Sequence, residues 1–258
     1  LTMSGRVSAA PFIEEIDPPV LRRGAVTRAT LRGDDLRQAV GVWTSLPTTP
    51  VSSSVVSSNL STRGPNEVVL DITVPADAPL GLHGLRLATN SGLSNVHIVL
   101  IDELPLTPAV GDVRVAGKSL DVDLPCCLRA QCRPASVDRY GIHVATGQTV
   151  AFEVVGSRFG KDYDPLITVR DESGHIVVQR DNDPGLFYDC RFAHTFESSG
   201  RFIVEVRDAR YEGNEAWHYV LRMGDFPAAI VAIPSVVQPG NTGTFWLPEV
   251  SAERFALT

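Results

Sequence analysis

Lysine is almost missing from this chain: only Lys118 and Lys161 stand among 23 basic residues. The arginines that replace it are mixed among acids and form no stripe, and the formal net charge is −7. With no positive field to displace phosphate counterions, a nucleic-acid partner is excluded. No apolar run approaches the ~18 residues of a membrane span, and no signal-peptide pattern opens the chain. Leu1 in place of an initiator Met is expected of a chain processed or excised from something longer. The sequence also lacks G-x-S-x-G, H-E-x-x-H and a glycine-rich phosphate loop. Gly92-Leu93-Ser94-Asn95-Val96 fails the nucleophile-elbow pattern at its last position. A catalytic role is therefore not expected.

What is present is a globular composition, 43% hydrophobic and 21% charged, in 258 residues. That length suggests two domains at ~100–200 residues each. Eighteen prolines and 21 glycines, spread along the chain, oppose long helices and favour short strands joined by turns. From Pro11 to Glu103, β-rich runs occupy Val26–Leu31, Ala39–Thr44, Val51–Ser57, Val68–Val74, Leu82–Ala88 and Leu93–Ile101. Turn clusters such as Asp77-Ala78-Pro79 and Asn90-Ser91-Gly92 separate them, the signature of a sandwich. Residues 1–10 read as a leader or linker and 104–115 as a connector. A second domain, 116–226, shows two-fold alternation at Val150, Phe152 and Val154, at Phe202, Val204 and Val206, and at Trp217, Tyr219, Leu221 and Met223. Such alternation marks half-buried antiparallel strands. Residues 227–258 hold an apolar run, Ala228–Ile233, and a strand at Thr242–Leu247. Two strands alone are not stable, so this tail reads as the start of a third β domain or as a donated strand. The expected fold is all-β: two tandem antiparallel β-sandwiches plus a C-terminal β tail.

Between residues 112 and 224, specific motifs resemble the bacterial pre-peptidase C-terminal domain. They are Asp138-Arg139-Tyr140, Gly147-Gln148-Thr149-Val150, Asp164-Pro165-Leu166, Asp171-Glu172-Ser173-Gly174, Asp181-Asn182-Asp183 and Gly200-Arg201-Phe202-Ile203-Val204-Glu205-Val206. Phe202 stands where that family usually has Tyr. The first half resembles IPT/TIG-type immunoglobulin-like modules through Pro18-Pro19, Arg23-Gly24, Val26–Leu36, Val74-Pro75 and Gly81–Arg86. Neither family is catalytic. The resemblance implies a non-catalytic, extracytoplasmic structural or adhesive module of a bacterial surface or secreted protein. The alternative is an accessory region of a secreted hydrolase whose catalytic domain lies elsewhere. Expected partners are other domains or subunits of a surface assembly, or a cell-surface polymer.

The four cysteines are Cys126, Cys127, Cys132 and Cys190. An even count in an exported chain suggests two disulfides, with one of Cys126 and Cys127 joined to Cys132 and the other to Cys190. Zinc held by the same cysteines with His194 is the competing reading, against which no C-x2-C pair is present. Asp162, Asp164, Asp171, Asp181, Asp183 and Asp189 crowd one stretch, several at i, i+2 spacing in turns. Hard oxygen ligands on loops are what Ca2+ requires, and Asp162, Asp164, Asp181, Asp183 and Asp189 form a candidate site. Asp and Asn also initiate turns without any metal. Trp43, Phe187, Tyr188, Tyr211 and Trp217 are candidates for stacking on carbohydrate, with Trp217 also in phase with the core. Asn59-Leu60-Ser61 is formally a glycosylation triplet.

Overall fold

The computed structural model describes residues 10–46, 56–62, 64–107, 118–229, 243–246 and 254–257. Most of the expected leader, residues 108–115 of the connector, Val51–Val55 and Ile230–Ile233 lie outside them. The chain divides into two compact units, Leu1–Glu103 and Leu104–Thr258.

In the first unit, strands β1 (Phe12–Asp17), β3 (Val26–Asp34), β6 (Glu67–Thr73) and β5 (Val56–Thr62) form one sheet in the order β1-β3-β6-β5. The other sheet runs β2 (Val20–Arg22), β9 (His97–Asp102), β7 (Gly81–Thr89), β4 (Ala39–Thr44), with β8 (Gly92–Leu93) on β7. Alternation aims Ala29, Leu31, Leu70 and Ile72 at Leu85, Leu87, Val99 and Ile101 in one buried cluster. Out-of-phase residues point away from that cluster, where exposed Arg28 makes a bidentate pair with buried Asp71 at 2.7 and 2.8 Å.

The second unit is a larger sandwich. One sheet orders β10 (Leu106–Thr107), β12 (Cys126–Gln131), β19 (His218–Gly224), β14 (Thr149–Val155) and β17 (Cys190–Thr195). The facing sheet orders β11 (Leu120–Asp121), β13 (Asp138–Val144), β18 (Gly200–Asp208), β15 (Pro165–Arg170) and β16 (Ile176–Arg180). Leu104–Thr107, expected in the connector, thus belong to this unit. Phe152, Phe192, Tyr140, Tyr163, Tyr219 and Leu221 fill the space between the sheets. Burial of each such side chain contributes about 1.5–3 kcal/mol. The only helical turn among the described residues is the 3-10 turn Ser157–Phe159. Further on, β20 (Gly243–Trp246) and β21 (Arg254–Leu257) pair with each other as an antiparallel ladder.

Four of the ladders carry β-bulges or register shifts, and each lies on a strand at the edge of its sheet: β1, β4, β5 and β16. Of the remaining sandwich edges, β2, β10 and β11 are two or three residues long. β17 is a longer edge without a bulge, and there the Arg191 N–H donates to Asp183 Oδ2 at 2.7 Å.

Strand register also assembles a charge cluster on the outward side of the second unit. Cys127, Arg222, Glu153 and Arg191 stand opposite one another across β12, β19, β14 and β17. Glu153 is buried and is bound by Arg191 Nη2 at 2.6 Å, Arg158 Nη2 at 2.7 Å and Arg222 Nη1. Burial pushes its carboxyl up, but Arg191, Arg222 and Arg158 outweigh that and hold it below the ordinary carboxylate value. Phe226 stacks on the Arg222 guanidinium at 4.2 Å.

The disulfides expected from sequence are not seen: all four cysteines are buried and no S–S bond joins them. The register explains why. Cys126 on β12 and Cys190 on β17 are separated by β19 and β14, roughly 14 Å at ~4.8 Å per strand, whereas a disulfide needs Cα atoms about 4.4–6.8 Å apart. Cys132 continues β12, its N–H bonding Trp217 O at 2.7 Å, so it lies roughly 20 Å along the strand from Cys126 at ~3.3 Å per residue. The same spacing keeps the zinc reading apart. Burial, with the Asp123 charge adding, pushes the Cys126 thiol up to about 12. Burial also raises Cys190.

Two outcomes follow. An aromatic disulfide reagent should find essentially no thiol in the native protein and four after denaturation; two pre-formed disulfides would leave none in either state. Glu153→Gln should lower stability by about 3–5 kcal/mol at pH 7, because buried Arg222 and partly buried Arg191 and Arg158 lose the Glu153 charge. The folded-state carboxyl is depressed, so its contribution is complete above the unfolded value near ~4.3 and is lost as pH falls through the lower folded value. Urea midpoints of wild type and variant should therefore converge in strong acid.

Candidate functional site

Strand direction brings four connecting loops to one end of the second unit. They are 132–137 between β12 and β13, 156–164 between β14 and β15, 181–189 between β16 and β17, and 209–217 between β18 and β19. Five of the six clustered aspartates reach this end. Asp171 does not: it lies in the turn between β15 and β16 at the opposite end, where Oδ1 accepts the His175 N–H at 2.9 Å.

Asp189, expected among the calcium ligands, performs a different task. Its Oδ1 accepts the N–H groups of Gly156 and Ser157 at 2.9 and 2.8 Å. Its Oδ2 accepts the Arg158 N–H at 3.1 Å and Arg158 Nε at 2.7 Å. A fully buried carboxylate so surrounded by donors anchors the 156–164 loop to the 181–189 loop. Asp208, not among the aspartates expected from sequence, does the same nearby. Its Oδ2 accepts the Asp164 N–H at 2.9 Å, and Oδ1 accepts those of Arg210 and Glu212 at 2.8 and 3.1 Å. An Asp at a strand end ahead of a turn is the signal that would have found it.

The other candidate aspartates are also engaged. Asp162 meets Arg210 Nη2 at 3.5 Å, and Asp183 takes the Arg191 N–H. The Asn182 amide, its NH2 turned toward them, lies 2.9 Å from Asp164 Oδ1, 2.8 Å from Asp181 Oδ1 and 3.0 Å from Tyr188 O. Burial, then the neighbouring Asp181 and Asp208 charges, raise the Asp164 carboxyl. Among the described residues no group of three Asp, Glu, His or Cys side chains is arranged to hold a metal ion.

Close backbone approach packs the loops down. A Cβ on Gly156 would collide with the Tyr163 ring, and one on Gly213 would lie 2.5 Å from Arg133 C and 2.7 Å from Cys132 O. Tyr163 stacks on Tyr219 at 5.5 Å and meets Trp217 at 6.4 Å. Tyr219 donates to Asp138 Oδ2 at 2.6 Å and pairs with the Tyr140 hydroxyl at 3.0 Å. Trp217 is thereby a partly buried core residue, as its phase suggested.

Three aromatic side chains remain on the surface of this end: Phe187 is 78% exposed, Tyr188 49% and Tyr211 50%. Phe187 and Tyr211 hold left-handed backbone, φ 58° and 60°, which bulky residues seldom adopt. Phe187 walls a recess with Asn182, Asp183, Pro184 and Gly185. Arg207 supports one face of the Tyr211 ring at 4.2 Å. Trp43, the remaining stacking candidate, is exposed on β4 of the first unit. His194, the histidine of the zinc reading, is partly buried against Phe196 at 4.8 Å, and burial lowers its pKa. The side chains of the Asn59 triplet lie outside the described residues.

No protein-family model matches the chain, and no curated protein matches it. Among solved structures it is similar to the pre-peptidase C-terminal domain of a collagenase from Bacillus anthracis, at 13% identity and TM-score 0.33, over 41% of this chain and 94% of that one. It is similar to SGBP-B of the Bacteroides ovatus mixed-linkage glucan utilization locus, at 8% identity and TM-score 0.24, over 80% of this chain and 71% of that one. The Yersinia pseudotuberculosis adhesin InvE is similar at 13% identity and TM-score 0.25, over 81% of this chain and 53% of that one. Likenesses this distant assign no residue a role.

Asp189→Ala should cost about 3 kcal/mol, since Arg158 and three backbone donors lose their acceptor. Hydrogen exchange at Gly156, Ser157 and Arg158 should quicken without added metal. Unchanged exchange there would remove the anchoring role.

Proposed function

We propose that this chain is a non-catalytic binding module of a longer bacterial surface or secreted protein, and that it holds a surface polymer at the loop end of its second unit. One observation carries the reading. Phe187, Tyr188 and Tyr211 expose ring surface to water on loops that Asp189 and Asp208 pin to the sandwich. Exposed apolar surface gathered at one end and rimmed by polar groups is a common mark of an interaction site. Strained left-handed backbone at two of those rings has the same sense, because such conformations persist only where their surroundings impose them. The buried carboxylates at this end spend their oxygens on backbone and arginine donors, which suits a scaffold that presents rings rather than one that moves protons. The motif resemblance of the second unit to exported domains supports an extracytoplasmic setting.

Co-sedimentation with insoluble polymers tests the proposal, using peptidoglycan sacculi, cellulose, chitin and fibrillar collagen. The protein should pellet with at least one, and Phe187→Asn with Tyr211→Asn should abolish pelleting at unchanged melting temperature. Asparagine is chosen because it tolerates left-handed backbone while removing the ring. No pelleting with any polymer, or pelleting indifferent to both substitutions, would overturn the reading.

A further inference from the structure

Resting on that reading, we infer that the ligand of the loop end is an uncharged, hydroxyl-rich polysaccharide, held by stacking of its sugar faces on Phe187 and Tyr211. The rings supply flat apolar platforms, and a pyranose presents a flat face of C–H bonds flanked by hydroxyls. Such sites need only a few polar groups beside the apolar surface to fix orientation. Here the polar groups of the loop 181–189 are largely engaged within the protein, Asp189 with Arg158, Asp183 with the Arg191 N–H and Asp181 with the Asn182 amide, so the rings carry the recognition.

Charge narrows the class further. The four loops together contain seven carboxylates, Asp162, Asp164, Asp181, Asp183, Asp189, Glu212 and Glu215, against four cations, Arg133, Arg158, Lys161 and Arg210. The loop that carries Phe187 and Tyr188 has three acids and no cation. Arg191 and Arg207 flank the loops and Asp208 adds an acid, so the excess of acids is small, but it disfavours uronate, sulfate and phosphate polymers. It does not thereby select an amine-bearing one. Asp162 meets Arg210, Asp164 and Asp181 share the Asn182 amide, Asp183 takes the Arg191 N–H, and Asp189 is closed around Arg158. An ammonium would have to displace one of these partners. Stacking on the rings displaces nothing.

The platform has a support on the side away from the ligand. Arg207 lies over one face of Tyr211 and also donates to Asp208 O and Ala209 O at 2.9 and 3.1 Å. The ring is therefore fixed before the sugar arrives, which limits the ordering cost of binding.

Affinity electrophoresis tests this with four soluble polymers in the gel: a mixed-linkage β-glucan, a galactomannan, a polygalacturonate and a deacetylated chitosan, each at low and high salt. A neutral polymer should retard the protein, and salt should change that retardation little, because stacking is not screened. Phe187→Asn and Tyr211→Asn should each weaken it about ten-fold, the equivalent of about 1.4 kcal/mol. Trp43→Ala, an exposed ring in the other unit, should leave it unchanged. Retardation only by polygalacturonate, or only by chitosan with loss at high salt, would overturn the uncharged class and leave the binding-module reading standing. So would pelleting with collagen through the same rings and no response to any glycan. Failure in both this assay and co-sedimentation would overturn both.

Discussion

The guanidinium of Arg158 stands between two buried carboxylates, and the second unit is organised around it. Nη2 reaches Glu153 at 2.7 Å on the sheet, while Nε reaches Asp189 at 2.7 Å at the start of β17. One planar cation therefore ties a charge row across β19, β14 and β17 to the loop end. Buried ions are expensive to desolvate, and only complete pairing offsets that cost. Completeness is visible here: Glu153 has three arginines, and Asp189 adds three backbone donors to its ion pair. Among the described residues Arg191 Nε is left without a partner, but both carboxylates are paired, and that pairing fixes the loops more tightly than apolar packing alone, which tolerates sliding. Phe187 and Tyr188, on the loop that Asp189 closes, inherit their positions from this.

Much of the fold was legible because period-two alternation is a local signal. Val150, Phe152 and Val154 announced β14, and Phe202, Val204 and Val206 announced β18, since each inward residue needs only its own strand to declare a face. β1 and β2 were missed because Glu14 and Glu15 interrupt the apolar pattern of one and the other has only three residues. The site was less legible. Cysteine parity suggested pairing, but distance across a sheet depends on strand order, and β19 and β14 intervene between Cys126 and Cys190. Glu153 looked like an ordinary outward residue of an alternating strand. Its burial follows from non-local register, which sets Arg222 on one side and Arg191 on the other. Asp189 was noticed for the right reason, a short oxygen-bearing side chain at a turn, yet the donors it meets come from a loop more than thirty residues earlier.

The distribution of β-bulges has a consequence for how such a chain lives among copies of itself. An unpaired, regular strand edge is a template for another strand, and modules strung along one polypeptide face each other at millimolar effective concentration. Here the long edges β1, β4, β5 and β16 are each broken by a bulge, and β2, β10 and β11 are too short to template a partner. At β17 a carboxylate occupies the first outward N–H. Crowding, which drives unguarded sandwiches into fused sheets, meets interrupted or short edges on most of these strands.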